Sequence, residues 1–283
     1  MSLPPDPVAA ATPPGRFEYV LGTSDHEHHR LALQNQLFEP MARRQLGWLR
    51  LEPGARVLDA GSGPGALLPL LREAAGPGGR VVALEREARF AAAIATRIQR
   101  EGWTDVELVH GAIENAPLGA PFDAIVMRWV LSFPPEPERL VERLGQALAP
   151  GGRLLVIDYN HHGISLFPES PGFEAVVRAT RAWYRSQGGD AFIAGRLPEL
   201  FERAGLTLER LEPEALVGGP GSLVWRWAEE FFVHHSAHME DQGLLSATER
   251  DDFLTEWRRR RENRWSRFYS PLIVSALARR PSA

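Results

Sequence analysis

Between residues 25 and 50 apolar side chains recur at mixed three- and four-residue spacing, at Leu31, Leu33, Leu37, Phe38, Met41, Leu46 and Trp48. That period predicts helix, with Pro40 dividing it into two. From residue 56 the pattern changes. Arg56–Ala60 is a short apolar run closed by the turn Gly61–Gly65 and a helical stretch over Ala66–Ala75. Arg80–Leu84 follows as a strand ending at Glu85, then an Ala-rich helix over Ala88–Arg100, and strands at Val106–Val109 and Phe122–Met127. A helix over Glu136–Leu148 stops at Pro150-Gly151-Gly152 and leads to the strand Arg153–Ile157. Strands that are apolar throughout, alternating with helices, predict a parallel sheet covered on both faces. Beyond residue 161 helical patterns dominate, near 172–187, 196–204, 222–238 and 246–262, interrupted by strand candidates at Leu206–Leu211 and Phe268–Ala278.

Composition narrows the chemistry. The chain has 283 residues, a net charge of −4 and no cysteine, which removes disulfides, thiolate nucleophiles and thiolate metal sites and makes a reducing cytoplasm the expected compartment. All 32 basic residues are arginine, so Schiff-base chemistry and the P-loop lysine are excluded too. Five prolines within residues 1–15 predict a disordered leader over 1–16 that has no signal-peptide pattern. No apolar run approaches the ~20 residues needed to span a bilayer.

The sharpest local feature is Val57–Gly65, VLDAGSGPG, with glycines at 61, 63 and 65 between a buried strand and a helix. Such a turn uses residues that accept positive φ and let a ligand approach the backbone. Glu85 ends the next strand about 20 residues on, where an acid can accept from ribose hydroxyls. The spacing differs from G-x-G-x-x-G, with Pro64 and Ala66 in its last places, and dinucleotide binding stays open on this motif alone.

Four motifs in order resemble the class I S-adenosylmethionine-dependent methyltransferases. VLDAGSGPG is similar to that family's first motif, with Asp59 ending the strand, and VVALERE (81–87) to its second, with Glu85 the ribose acid. APFDAIVMRWVLSF (120–133) is similar to its fourth-strand motif and LAPGGRLLVID (148–158) to its fifth-strand motif, so the resemblance covers roughly residues 55–160. It implies a doubly wound seven-stranded α/β sheet, the Rossmann-like methyltransferase fold. It divides the chain into an N-terminal helical cap over 17–55, a cofactor-binding core over 56–160, and a helical lid insertion with the remaining strands over 161–283. S-adenosyl-L-methionine is the implied cofactor, held by Asp59, Gly61, Ser62, Gly63, Gly65, Glu85 and Arg86. Where the family often carries Gly-Asp-Ala after the third strand this chain has Gly111-Ala112-Ile113-Glu114, which leaves adenine to Ala112 and Ile113, with Glu114 as an alternative acid. Tyr19-Val20-Leu21-Gly22 with Arg30-Leu31 resembles the N-terminal segment of bacterial small-molecule methyltransferases, in which an aromatic and an arginine close over the cofactor's amino-acid end. Arg128, just after the fourth strand, is a further candidate for the cofactor or an acidic substrate.

Methyl transfer from a sulfonium relies on alignment and water exclusion, and needs a base only when the acceptor must lose a proton. His161 and His162 follow the fifth strand at the ligand edge and are the base candidates. No metal site is expected: His26, His28, His29 and His234, His235, His238 form two groups, but a third ligand is lacking even for the i, i+4 pair His234/His238. Trp183, Tyr184, Phe192, Trp225, Trp227 and Phe231 are aromatics of the lid suited to a flat acceptor. Arg258–Arg261 with Arg264 and Arg267 is the only basic run, read as a solvated helix face. The expectation is methyl transfer to O or N of a small aromatic or apolar molecule, with no nucleic-acid or membrane partner. The rivals are an S-adenosylmethionine-binding relative that does not methylate, and an NAD(P)-dependent oxidoreductase.

Overall fold

The computed structural model describes residues 25–119 and 121–282. The expected leader lies outside them. Ten strands and eight α-helices follow in chain order: α1 (Asp25–Leu46), β1 (Arg56–Ala60), α2 (Leu68–Ala75), β2 (Arg80–Glu85), α3 (Ala88–Glu101), β3 (Val106–His110), β4 (Phe122–Arg128), α4 (Pro137–Ala147) and β5 (Leu148–Asn160). Then come β6 (Ser165–Phe167), α5 (Pro171–Ser186), α6 (Leu197–Arg203), β7 (Thr207–Glu214), β8 (Val217–Gly218), α7 (Leu223–Asp241), α8 (Ala247–Arg261), β9 (Arg267–Tyr269) and β10 (Leu272–Arg279).

The main sheet has seven strands in the order β3-β2-β1-β4-β5-β10-β7. β1 to β5 pair in parallel, while β10 runs antiparallel to both its neighbours, Val274 facing Asp158 and Pro213. Alternate residues of each central strand feed opposite faces. Val57, Val81, Ala83, Ala124, Val126 and Ile157 join one core with α1, α2, α3, α5, α7 and α8. Leu58, Val82, Leu84, Ile125, Met127 and Val156 join the other with α4 and α6. With both faces buried, the strands read as unbroken apolar runs. On the first face α5, α7 and α8 pack together with α1, and on the second α6 packs with α4.

The helices α5, α7 and α8 start where the chain supplies caps. Ser170 Oγ accepts from Phe173 N at 3.2 Å and Ser222 Oγ from Trp225 N at 3.2 Å. Ser246 and Glu249 form a reciprocal capping box.

Two expectations need correcting. Pro40 does not divide the first helical stretch: α1 is continuous. Pro40 and Gln36, whose carbonyl loses its helical donor, are exposed, so water satisfies that carbonyl while Leu33, Phe38 and Met41 hold the buried face together. The final run is also two strands, not one. At Ser270-Pro271 the chain leaves a small three-stranded sheet, β6-β9-β8, and enters the main one. Ser270 pairs with Leu216 through both its N–H and its hydroxyl, while Pro271 has no N–H to continue the ladder.

Candidate functional site

The carboxyl ends of β1, β2, β4 and β5 open into one cavity, roofed by α1, α7 and the loops at Ile164 and Pro271. Its floor is the turn after β1. Gly61 N and Ser62 N both donate to Leu84 O, at 2.9 and 3.0 Å, which stitches the turn to the end of β2. Glu85 completes the junction. One carboxylate oxygen accepts from Gly63 N at 2.7 Å and the other from Glu87 N at 2.7 Å.

All three glycines of the turn have positive φ, but for different surroundings. A Cβ on Gly61 would meet Val130 at 2.6 Å, and one on Gly65 would meet Leu68 at 2.8 Å, so those two are fixed by packing. A Cβ on Gly63 would meet nothing within 4 Å. Gly63 lines the cavity, so a side chain there would project into its open space.

Two groups of opposite charge, the buried Asp59 and the half-buried Arg128, lie next to this turn. Asp59, the last but one residue of β1, is 2% exposed, with Oδ2 lacking a hydrogen-bond partner. Burial pushes its carboxyl up to about 6, against the pull of the Arg128 guanidinium. Arg128 ends the neighbouring strand β4, lines the cavity and has a buried Nη1 with no partner, its Nη2 donating to Asn35 Oδ1 at 3.3 Å. Burial lowers Arg128 to about 10, with Asp59 opposing. Glu85 is pushed up to about 7, again by burial and against its backbone donors. Arg128 is on the cavity wall, and its unpartnered guanidinium nitrogen suits a carboxylate; Asp59 is buried behind the turn and does not line the cavity.

Other candidates separate. Arg30 lines the cavity, held by two 2.7 Å bonds to Glu27 and one to Gln34. Arg86 and Ile113 line it, while Ala112 does not. Tyr19 lies outside the described residues. His161 lines the cavity, 5% exposed, with Nδ1 unpartnered, whereas His162 is exposed and packs against Phe192. Burial and Arg181 hold His161 down at about 3, so its ring is neutral at working pH and suits hydrogen bonding better than storing a proton. Tyr184, Trp227 and Phe231 line the cavity, but Trp183 and Trp225 belong to the core. The rings of His26 and His234 stack 3.6 Å apart, and among the described residues no three His, Asp or Glu side chains are placed to hold a metal.

Sequence reasoning missed Gln34, Tyr159 and Phe232, which line the cavity from α1, β5 and α7. No local signal marks them. Trp129 also lines the cavity; it follows β4 with φ +56, an unusual conformation for a bulky residue, and its ring stacks on Tyr159 at 5.7 Å.

Seven strands with one antiparallel member, a glycine turn after β1 and an acid after β2 define a nucleoside-binding α/β enzyme. The pattern of the methyltransferase-domain family matches residues 13–211, and the chain belongs to that family of S-adenosylmethionine-dependent methyltransferases. It is similar to the protein-L-isoaspartate O-methyltransferase of Aeropyrum pernix, 38% identical over 115 residues, which are 40% of this chain and 42% of that one. It is also similar to the nocamycin O-methyltransferase of Saccharothrix syringae, 34% identical over 121 residues, 42% of this chain and 43% of that one. The chain thus matches less than half the length of either relative. The YcgJ protein of Bacillus subtilis shares the fold, with a TM-score of 0.53 at 18% identity over 90% of this chain and 99% of that one. Among the described residues no helix is long and apolar enough to cross a membrane.

Proposed function

We propose that this chain methylates O or N of a small, flat or apolar molecule enclosed between the sheet edge and the lid, using S-adenosylmethionine. The observation that carries the reading is the buried Arg128 Nη1, without a hydrogen-bond partner, in the same cavity as the open space at Gly63, with Asp59 buried behind the turn. The family's cofactor supplies an activated methyl group on a sulfonium.

This chain's residues divide the work. Arg128 takes the carboxylate of an amino acid, and Glu85 accepts from a ribose diol while its other lone pairs hold the turn. Arg86 and Ile113 flank the base-binding end. At the other end Trp129, Tyr159, Tyr184, Trp227 and Phe231 present rings and exclude water, which favours displacement by alignment. His161 orients the acceptor through Nδ1. The enclosure favours a small molecule over a polymer, and a reducing cytoplasm remains the compartment that fits a chain free of cysteine.

Incubation with methyl-labelled S-adenosylmethionine and a panel of small aromatic and apolar acceptors tests the reading. Label moves to a small acceptor if it holds. Label found only on protein or RNA, or tight S-adenosylmethionine binding with no transfer to any acceptor, contradicts it.

A further inference from the structure

Exposed apolar side chains concentrate on one face. Of the six large hydrophobic residues with the greatest exposure, Phe167 (57%), Val217 (50%) and Tyr269 (38%) lie on the small sheet β6-β9-β8, and Trp265 (63%) lies two residues before β9. The register explains the grouping. Phe268 faces inward opposite Leu166 and Gly218, so its neighbours Arg267 and Tyr269 face outward, paired with Phe167 and with Ser165 and Val217. The inner face is spent on packing: Phe268 contacts Phe173 and Phe232 at ring distances of 6.0 and 6.1 Å.

The same face is cationic. The Arg264 guanidinium lies 4.4 Å from the Trp265 ring centroid, and Arg267 donates to the carbonyl of Arg264 at 2.8 Å. The end of α8 is tied near β6, where Arg260 donates to the carbonyl of Glu169 at 2.6 Å. Arg258, Arg259, Arg264 and Arg267 make no ion pair among the described residues. Two arginines without an ion-pair partner, Arg264 and Arg267, therefore border the exposed apolar side chains of this face in a chain whose net charge is −4.

We propose that the outer face of β6-β9-β8 docks on an anionic lipid surface. Aromatic rings flanked by arginines fit the interface between headgroups and acyl chains, where the rings settle among carbonyls and the guanidinium groups meet phosphate. A second copy of this chain would bring the same positive charge to the contact and is disfavoured by it. The expectation of no membrane partner rested on the lack of a spanning run, which surface docking does not need. The face joins the cavity directly: Ile164, before β6, and Pro271, after β9, both line it. Docking would place the cavity roof at the lipid surface, and it stands independently of whether the enzyme methylates.

Vesicle flotation of the full chain tests the proposal, with phosphatidylcholine alone and with equal parts of phosphatidylcholine and phosphatidylglycerol. Binding to the anionic vesicles only, weakened by salt, is expected. The doubly substituted F167S/W265S chain, altered only at exposed positions, should lose at least about tenfold in vesicle affinity, and Arg264→Ser about fivefold. Both variants should keep the wild-type melting temperature, and the second stands if the first fails to fold. Three results overturn the proposal: no flotation, equal flotation of wild type and variants, or a wild-type dimer that F167S/W265S converts to monomer. RNA that binds this face more tightly than the vesicles also overturns it.

Discussion

Replacing Glu85 with glutamine keeps the side chain's shape and removes its charge. In the ligand-free protein two effects oppose each other. The shift from 4.5 to about 7 means that burial taxes the ionised form by roughly 3 kcal/mol, which glutamine relieves. Against this, Glu85 accepts from two backbone N–H groups, Gly63 and Glu87, and an amide turns an N–H toward one of them, at a cost of about 1–3 kcal/mol. The melting temperature should therefore change little. Binding has no such compensation: a charged acceptor for ribose hydroxyls contributes about 1.5–3 kcal/mol, so S-adenosylmethionine affinity should fall about 10- to 100-fold. The pH dependence is a second signature. Because hydroxyl donors favour the ionised carboxylate, wild-type affinity should rise about 20-fold between pH 6 and 8, about tenfold from Glu85 and about twofold from Asp59, whereas E85Q should change about twofold, from Asp59 alone. For stability the sign reverses. A raised native pKa means the folded state holds more protons than the unfolded one between 4.5 and about 7, so Glu85's share of stability is present below 4.5 and lost as pH rises through 7. Titration calorimetry at three pH values, with thermal melts, reads all of this. Unchanged affinity, or the same pH slope in E85Q, would refute the ribose role and leave Glu85 a brace for the turn.

Further outcomes follow from the same geometry. Gly63→Ala should fold, at a cost of about 1–2 kcal/mol for its positive φ, yet lose cofactor binding because its Cβ occupies ligand space; equilibrium dialysis checks this. Arg128→Met should weaken S-adenosylmethionine by about 1.5–3 kcal/mol while leaving adenosine binding unchanged, which a paired titration of the two ligands resolves. His161→Phe should raise KM for the acceptor and leave cofactor affinity intact, and the wild-type turnover profile should show no limb at the ordinary imidazole value, since that ring stays neutral down to about 3. Pro40→Ala should stabilise the fold by up to about 3 kcal/mol, visible as a higher chemical-denaturation midpoint.

The strand–glycine–acid unit was readable because its chemistry is local. Gly63 and Glu85 meet through one turn and one strand pairing, and each carries its role in its residue type. Asp59 and Arg128 were legible singly but not as a pair. Their approach depends on β1 lying beside β4, a crossover that spacing along the chain does not reveal. Gln34, Tyr159 and Phe232 have ordinary residue types in ordinary elements, and only the packing of α1 and α7 over β5 turns them toward one cavity. Pro40 was misread because a proline's effect depends on whether the freed carbonyl faces water, and helix periodicity alone did not settle that. The β9–β10 break hid inside a continuous apolar run, since nothing local says that Phe268 and Ile273 bury against different sheets.

The account rests most directly on what fills the space beside Gly63. Titration calorimetry of the wild-type chain with S-adenosylmethionine, S-adenosylhomocysteine and NADH in parallel measures it. The predicted result is saturable micromolar or tighter binding of both adenosyl ligands and none of NADH, with Gly63→Ala abolishing the heat. Binding of NADH in their place, or adenosyl binding that survives Gly63→Ala undiminished, would contradict it.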